Sequence, residues 1–287
     1  MTSDVLTQIH NRMPRLSKGQ RKIAEYILSS YEKAAFQTAA ALGKNVQVSE
    51  STVVRFACEL GYEGYPQMQK ALQEMVRSKL TTVQRIEVSA PTVSGDELLT
   101  GVMQADMERI RKSMELTTSE MFYGAVDALE EANRIYVIGL RSASALASFL
   151  GYYLNYMFEN VQLITGGSDS EIFDQMIHIS AKDAVIAMSF PRYSSATVKA
   201  LGYARTVGAA TVAITDRASS PLCHKAEYAL LAHSDMVSLV DSLVAPMSLI
   251  NALLAALSRK KGKELQNTLN QLETVWEQNH VYEKIDD

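Results

Sequence analysis

Two stretches of this 287-residue chain carry residues whose types and spacing suit the binding of an anion. The first is FQTAAALGKNVQVSESTVVRFACELGYEGY, residues 36–65. AAALG predicts a short helix stopped at Gly43, since glycine adopts a left-handed stop without strain. NVQV then reads as a turn. Ser49 is placed to cap a second helix, ESTVVRFACEL, which ends at Gly61. Ala39 or Ala40, Leu42, Val48, Val53, Val54 and Ala57 would supply the small core between the two helices. A helix-turn-helix of this kind presents the N-terminal end of its second helix to base edges in the DNA major groove. Glu50, Ser51, Thr52 and Arg55 fall in those first turns, with Ser49 at the cap and Lys44 just ahead. Arg55 suits guanine or phosphate, and Ser51 and Thr52 suit phosphate or a thymine methyl. The helix N-terminus itself favours phosphate. An ordinary capped hairpin, with Arg55 a solvated surface residue, fits the same spacing.

The second stretch is a pair of loops. GLRSAS follows the apolar run RIYVI, and Ser142 or Ser144 would lie at the start of the next helix, where free N–H groups attract anions. SFPRYSSAT follows DAVIAM and clusters Ser189, Ser194, Ser195 and Thr197 with Arg192 and Tyr193. Hydroxyls, backbone amides and the cations Arg141 and Arg192 make a phosphate or carboxylate cradle. The alternative is that these arginines point outward and pair with Asp or Glu. Gly166-Gly167-Ser168-Asp169, followed by Glu171, either lines the same pocket or is a plain turn. His178, His233 and Glu171 make a weak acid/base set, because five histidines in no metal-ligand spacing fit surface or core roles better. There is no G-x-G-x-x-G fingerprint, so no dinucleotide cofactor is expected, nor any other cofactor, metal or catalytic residue.

These loops need a frame. RIYVIGL (134–140), VQLITG (161–166), DAVIAMSF (183–190), ATVAIT (210–215) and YALLAH (228–233) are strand-length apolar runs separated by helical patterns. That alternation predicts βαβ units and a mostly parallel sheet covered by helices on both faces, a three-layer α/β domain. Ligands of such a sheet bind beyond the carboxyl ends of its strands. The first 80 residues read as helices only. TTVQRIEVSAPTVSGDE, polar and broken by Pro91 and Gly95, reads as a linker. The expected division is 1–80, an all-α helix-turn-helix domain; 81–95, a linker; and 96–287, an α/β domain with flanking helices, the first of them carrying Leu99, Met103, Met107 and Ile110 at helical spacing.

Composition agrees. Residues 1–79 hold eleven Lys and Arg against seven Asp and Glu, a charge of +4, which leaves −8 for the rest of a chain whose total is −4. A basic module on an acidic body suits a chain of which one end meets DNA. Cys58 and Cys223 stand far apart and give no disulfide framework or zinc set, so a reducing cytoplasm is expected. The most apolar stretch, Leu243 to Leu257, contains Pro246 and Asn251 and is too short to span a bilayer.

VSESTVVRFACELGYEGYPQMQKAL resembles the N-terminal domain of RpiR-family regulators, in which S-x-S/T-T-V-x-R-F is followed by L-G-[FY]-x-G-[FY]. Ser49, Ser51, Thr52, Val53, Arg55, Phe56, Leu60, Gly61, Tyr62, Gly64 and Tyr65 fall in register. The family joins this domain to a sugar isomerase (SIS) domain, so the resemblance extends over the whole chain. It implies a regulator that binds double-stranded DNA as a homodimer or homotetramer and responds to a small anionic metabolite, a sugar phosphate or sugar acid. A SIS-fold sugar-phosphate isomerase is the alternative, which the recognition helix disfavours. Phe56 and Tyr65 read as core or groove-edge packing rather than base contacts. Family loops usually read G-x-G-x-S and S-x-S-G-x-T. Here Arg141 stands in place of the second glycine and Ala143 in place of the serine. Ser189 matches, while Pro191, Arg192 and Ser194 replace serine, glycine and threonine.

Overall fold

The computed structural model describes residues 5–79, 98–236 and 240–283. The chain falls into two units, Met1–Ser94 and Gly95–Asp287. The linker expected at 81–95 lies outside the described residues.

The first unit contains α1 (Val5–Arg12), α2 (Lys18–Ala34), α3 (Ala39–Val46), α4 (Glu50–Glu59) and α5 (Tyr65–Lys79), with a 3-10 turn at Met13–Arg15. Three of the helix starts are written in hydroxyl residues. Ser17, Thr38 and Ser49 each accept a bond from the backbone N–H three residues on, and Ser17 with Gln20 closes a reciprocal capping box. Such caps contribute about 1 kcal/mol each. Ile9, Ile23, Ile27, Leu42, Val53, Phe56, Met68, Leu72 and Val76 form the buried core.

Two expectations are corrected here. Gly43 does not stop α3. The helix continues to Val46, and the left-handed residue is Gln47, at φ 55°. The N–H of Val48 then donates to the carbonyl of Gly43 at 2.9 Å and that of Gln47 to Lys44 at 3.4 Å, the two bonds of a Schellman stop. Gly43 is glycine for another reason: a Cβ there would lie 2.8 Å from the Val48 carbonyl oxygen. It lets the turn fold back on α3. Gly61, at φ 98°, does end α4 as read. Val54 and Ala40 are not core; both are exposed, and Ala39, Leu42, Val53 and Ala57 carry the contact.

The second unit opens with α6 (Leu98–Ser113) and α7 (Ser119–Glu130). β1 (Ile135–Gly139), α8 (Ser144–Met157), β2 (Val161–Ile164), α9 (Asp169–Gln175), β3 (Ala184–Met188), α10 (Ser195–Val207), β4 (Ala210–Thr215), β5 (Tyr228–Leu231) and α11 (Val244–Gln278) follow. The five strands, all anticipated, form one sheet in the order β2-β1-β3-β4-β5, every neighbouring pair parallel. Alternate side chains serve opposite cores. Ile135, Val137, Ile186, Val212 and Ile214 meet α7, α8 and α11, while Tyr136, Ile138, Val185, Ala187 and Ala213 meet α9 and α10. Every residue of β1 and β3 is buried, which is why these strands read as unbroken apolar runs. The strand order reverses between β1 and β3, so a crevice opens past their carboxyl ends.

Gly139 ends β1 at this crevice. A Cβ there would meet the Ala143 carbonyl oxygen at 2.5 Å and Ala147 Cβ at 2.7 Å. Neither neighbour is a flexible side-chain tip, so the strand end and the start of α8 can approach only because residue 139 lacks a side chain. Gly139→Ala is expected to destabilise the α/β unit by about 1–3 kcal/mol through overpacking. Urea unfolding followed by far-UV circular dichroism measures this, and an unchanged midpoint would refute the close-approach argument.

Candidate functional site

The N-terminal end of α4 gathers the first set of polar groups. Ser49 Oγ accepts from the Thr52 N–H at 3.3 Å and lies 2.9 Å from Ser51 Oγ and 2.8 Å from Thr52 Oγ1. Three hydroxyls thus crowd a helix end that carries partial positive charge. Lys44, Ser49, Glu50, Ser51 and Arg55 are exposed and Thr52 is half-buried. Arg55 Nε donates to the Ser51 carbonyl at 3.3 Å, which lays the side chain along its own helix toward that end. Glu50 repels phosphate, and the base-edge partner its carboxylate can take is the amino group of cytosine.

Two residues of this face escaped the sequence reading. Val54, 38% exposed, lies beside Arg55 as an apolar group suited to a thymine methyl. Hydrophobic periodicity assigned it inward. Lys18 is the other. A Cβ on its neighbour Gly19 would come within 3.5 Å of Thr52 Cγ2 and 3.7 Å of Val48 Cγ1, so the first turn of α2 lies against that of α4. Lys18 is exposed there. Only the tertiary fold brings these two helix starts together.

Behind the face, Phe56 is fully buried. The buried Tyr65 hydroxyl donates to the Gln37 carbonyl at 2.7 Å, and burial pushes its pKa up to about 12. Arg12 bonds the Glu59 carbonyl and faces its carboxylate, tying α1 to the far end of α4.

The second set lies at the sheet crevice. Gly139 and Met188 are register partners, so the loops after β1 and β3 emerge side by side. In the first loop Arg141 takes φ 57°, the left-handed conformation a glycine adopts freely; for another residue it costs about 1–2 kcal/mol. Arg141 and Ser142 are exposed. Ser144 Oγ donates to the Arg141 carbonyl at 2.6 Å and begins α8.

The second loop is fixed from within. The buried Ser189 accepts the Ser194 N–H on its Oγ at 2.9 Å and the Thr215 hydroxyl on its carbonyl at 2.8 Å. Ser194 caps α10 by accepting from the Thr197 N–H at 3.3 Å. Thr197 itself is fully buried, and its hydroxyl has no hydrogen-bond partner among the described residues. The Tyr193 hydroxyl donates to Asp216 Oδ1 at 2.6 Å, and Arg217 Nε donates to the other oxygen at 2.5 Å. Burial, then the Asp216 charge, raises the Tyr193 pKa well above the usual phenol range. Arg192 is exposed, and among the described residues neither Arg141 nor Arg192 forms an ion pair.

The remaining candidates are used elsewhere. Glu171 closes a capping box with Ser168, its Oε2 accepting the Ser168 N–H at 2.6 Å, and Asp169 pairs with Lys199 at 2.6 Å. His178 lies in the turns leading into β3, at the opposite end of the strands from the two loops. No metal-holding group of His, Cys, Asp and Glu occurs among the described residues. No helix among them is long and apolar enough to cross a membrane.

Comparison with known proteins places both units. Residues 3–79 match the helix-turn-helix domain of the rpiR family and residues 128–256 the SIS domain. The class is therefore a helix-turn-helix transcriptional regulator with a SIS domain. Within that class the chain belongs to the RpiR family. Relatives include an HTH-type transcriptional regulator of Haemophilus influenzae, 26% identical over 80% of each chain. Another is the regulator HexR of Escherichia coli, 26% identical over 94% of this chain and 93% of that one. The sugar isomerase domain of an RpiR transcription factor from Sphaerobacter thermophilus aligns with 62% of this chain and 99% of its own, at 28% identity and a TM-score of 0.60. The Vibrio vulnificus NanR protein, solved with ManNAc-6P, shares the fold over 95% of this chain and 98% of its own, at 22% identity and a TM-score of 0.56.

Tyr193→Phe removes the bond that holds the second loop to the Asp216 carboxylate and is expected to cost about 1.5–3 kcal/mol of stability. A pKa raised on folding contributes stability that is complete below the unfolded value, 10.0, and fades as pH rises above it. The gap between wild type and the phenylalanine variant should therefore be constant from pH 7 to about 9 and narrow toward pH 11. Denaturant midpoints across that range measure it; a gap independent of pH would mean that the hydroxyl is not held as described.

Proposed function

We propose that this regulator reads a two-fold DNA operator as a homodimer or homotetramer, and that an anionic metabolite bound at the sheet crevice changes that reading. The domain limits are proposed as 1–80 for DNA binding and 96–287 for sensing and assembly. DNA contacts are assigned to Lys44, Ser49, Glu50, Ser51, Thr52 and Arg55, joined by Lys18 and Val54. The metabolite is assigned to Arg141, Ser142, Ser144, Ser189, Arg192 and Ser194, with Tyr193 holding their loop from behind. The site's work is on DNA in the cytoplasm, and the SIS unit acts as a sensor rather than an isomerase.

The observation that carries the ligand assignment is the pair of arginines, without ion pairs among the described residues, on neighbouring loops at the switch point of a parallel sheet. Cations left unpaired beside two helix N-termini attract a phosphate or carboxylate. A sugar phosphate or a sugar acid supplies one with hydroxyls to match the serines. That NanR of V. vulnificus was solved with ManNAc-6P supports the sugar-phosphate arm. The ligand regulates only if it binds one arrangement of the recognition helices more tightly than another.

Arg55→Ala is expected to weaken operator binding by about 1–3 kcal/mol per half-site and to relax discrimination at one base position. Lys18→Ala should weaken all sequences alike and reduce the salt slope of log K by about 1. Gel shifts at several salt concentrations separate the two. Wild-type affinity in a folded Arg55→Ala protein would remove α4 as the reading helix.

Arg192→Ala is expected to lower metabolite affinity by about 1.5–3 kcal/mol, roughly ten- to a hundredfold. Phosphosugars and sugar acids are screened by thermal shift, and a hit is titrated into both proteins. Equal affinity would remove Arg192 from the pocket. Operator affinity unchanged at saturating ligand would leave a binding site without a sensor.

A further inference from the structure

Five of the eleven cations in residues 1–79 stand between Arg12 and Lys22, in a stretch of eleven residues, RMPRLSKGQRK, that holds no carboxylate. The rest of residues 1–79 carries six cations against seven carboxylates, so the whole basic excess lies in that stretch. All five side chains are exposed. Arg12 pairs with Glu59. Arg15, Lys18, Arg21 and Lys22 form no ion pair or side-chain hydrogen bond among the described residues. Four neighbouring cations without an internal counter-charge sum to a local positive field.

Lys18, Arg21 and Lys22 follow one another at helical spacing on α2 and share a face, turned away from the buried Ile23, Ala24 and Ile27. Arg15 precedes them in the 3-10 turn. The face starts at the Ser17 cap, where the N-terminal end of α2 adds partial positive charge. Gly19 sets its place, because it lays the first turn of α2 against Val48 and Thr52, at the start of α4. One turn further along α2, Lys22 borders an open hollow of about 440 Å³ between α2 and the α3–α4 turn, lined also by Glu25, Asn45 and Gln47. Asn45 and Gln47 are exposed and supply amide N–H donors. Glu25 repels phosphate and closes the cation face beyond Lys22.

We infer that this face of α2 grips the DNA backbone outside the base pairs that α4 reads, with a phosphate seated in the hollow beside Lys22. Lys18 to Lys22 spans about 6 Å along the helix axis, and one strand of a duplex presents a phosphate about every 3.4 Å, so with Arg15 the face reaches about two or three phosphates. Cations held by no partner suit phosphate oxygens, which can be met from many directions, rather than base edges, which demand a fixed fork. Such contacts set the register of α4 on the duplex and carry no sequence information of their own. The inference rests on the reading of α4 above and widens the single contact assigned to Lys18 into a surface.

The test uses the full chain and a duplex that the wild-type protein has itself enriched from random sequence. Arg15→Gln/Arg21→Gln/Lys22→Gln is expected to reduce the salt slope of log K by about 2–3 per bound protomer, with the enriched sequence and the far-UV circular dichroism unchanged. Ethylating phosphates outside the enriched base pairs should weaken wild-type binding and leave the glutamine variant indifferent. Arg15→Lys/Arg21→Lys/Lys22→Arg should restore both the slope and the ethylation pattern. A wild-type slope in the glutamine variant, interference confined to phosphates inside the enriched sequence, or a changed base preference overturns the proposal. So does a glutamine variant that loses single-stranded RNA and keeps the duplex, which would give the face another partner. Arg55→Ala on the same duplex keeps the two readings apart. Loss in Arg55→Ala with none in the glutamine variant sinks the backbone grip alone. Loss in the glutamine variant with none in Arg55→Ala upholds the grip and sinks α4 as the reading helix.

Discussion

The parallel pairing of β1 with β3 is the constraint on which the α/β unit turns. Both strands are buried on both faces, so helices must cover the sheet above and below. Right-handed crossovers then send α8 to one side and α10 to the other, and both helices begin where the two strands end. The crevice, its two helix N-termini and the adjacent loops follow from that one register. Gly139, at the last rung, sets how closely α8 can approach. The chemistry of the proposed ligand site is therefore carried by loops whose placement is fixed by the most buried part of the molecule.

Much of this was legible in the residues because the signals are local. Five strand-length runs rich in Val, Ile and Ala became five strands, and Ser49 and Gly61 bracketed α4 as their chemistry dictates. What escaped depended on partners distant in sequence. Gly43 was read for its backbone freedom, yet its role is to admit the Val48 carbonyl. Val54 fits a helical period on either face, and period alone does not say which neighbour a helix has. Tyr193 was legible as a polar group of the loop, but not its bond to Asp216, twenty-three residues on, at the end of another strand. The stripe of Leu99, Met103 and Met107 on α6 was evident as a pattern and its exposure to solvent was not, because the sequence does not state what lies on the other side.

Arg141 shows a second trade. The left-handed turn after β1 would be free of strain with glycine, and this chain keeps arginine there. With no carboxylate partner among the described residues, the cation compensates nothing within the fold. Strain retained at a solvent-facing turn, beside a buried and well-satisfied loop, is the distribution expected where a site serves binding rather than folding.

Ser189 joins its loop to the first turn of α10 through one atom and to the end of β4 through another, and Tyr193 adds a third fixed point at Asp216. As the proposed seat of a metabolite, this loop is preorganised. Its conformational entropy is lost when the domain folds rather than when a metabolite arrives, so little of the binding free energy is consumed in ordering it. A rigid seat also has little local loosening with which to signal. On the proposed assignment, a message from this crevice leaves as a displacement of whole helices, with α8 and α10 as the levers anchored at their N-terminal ends.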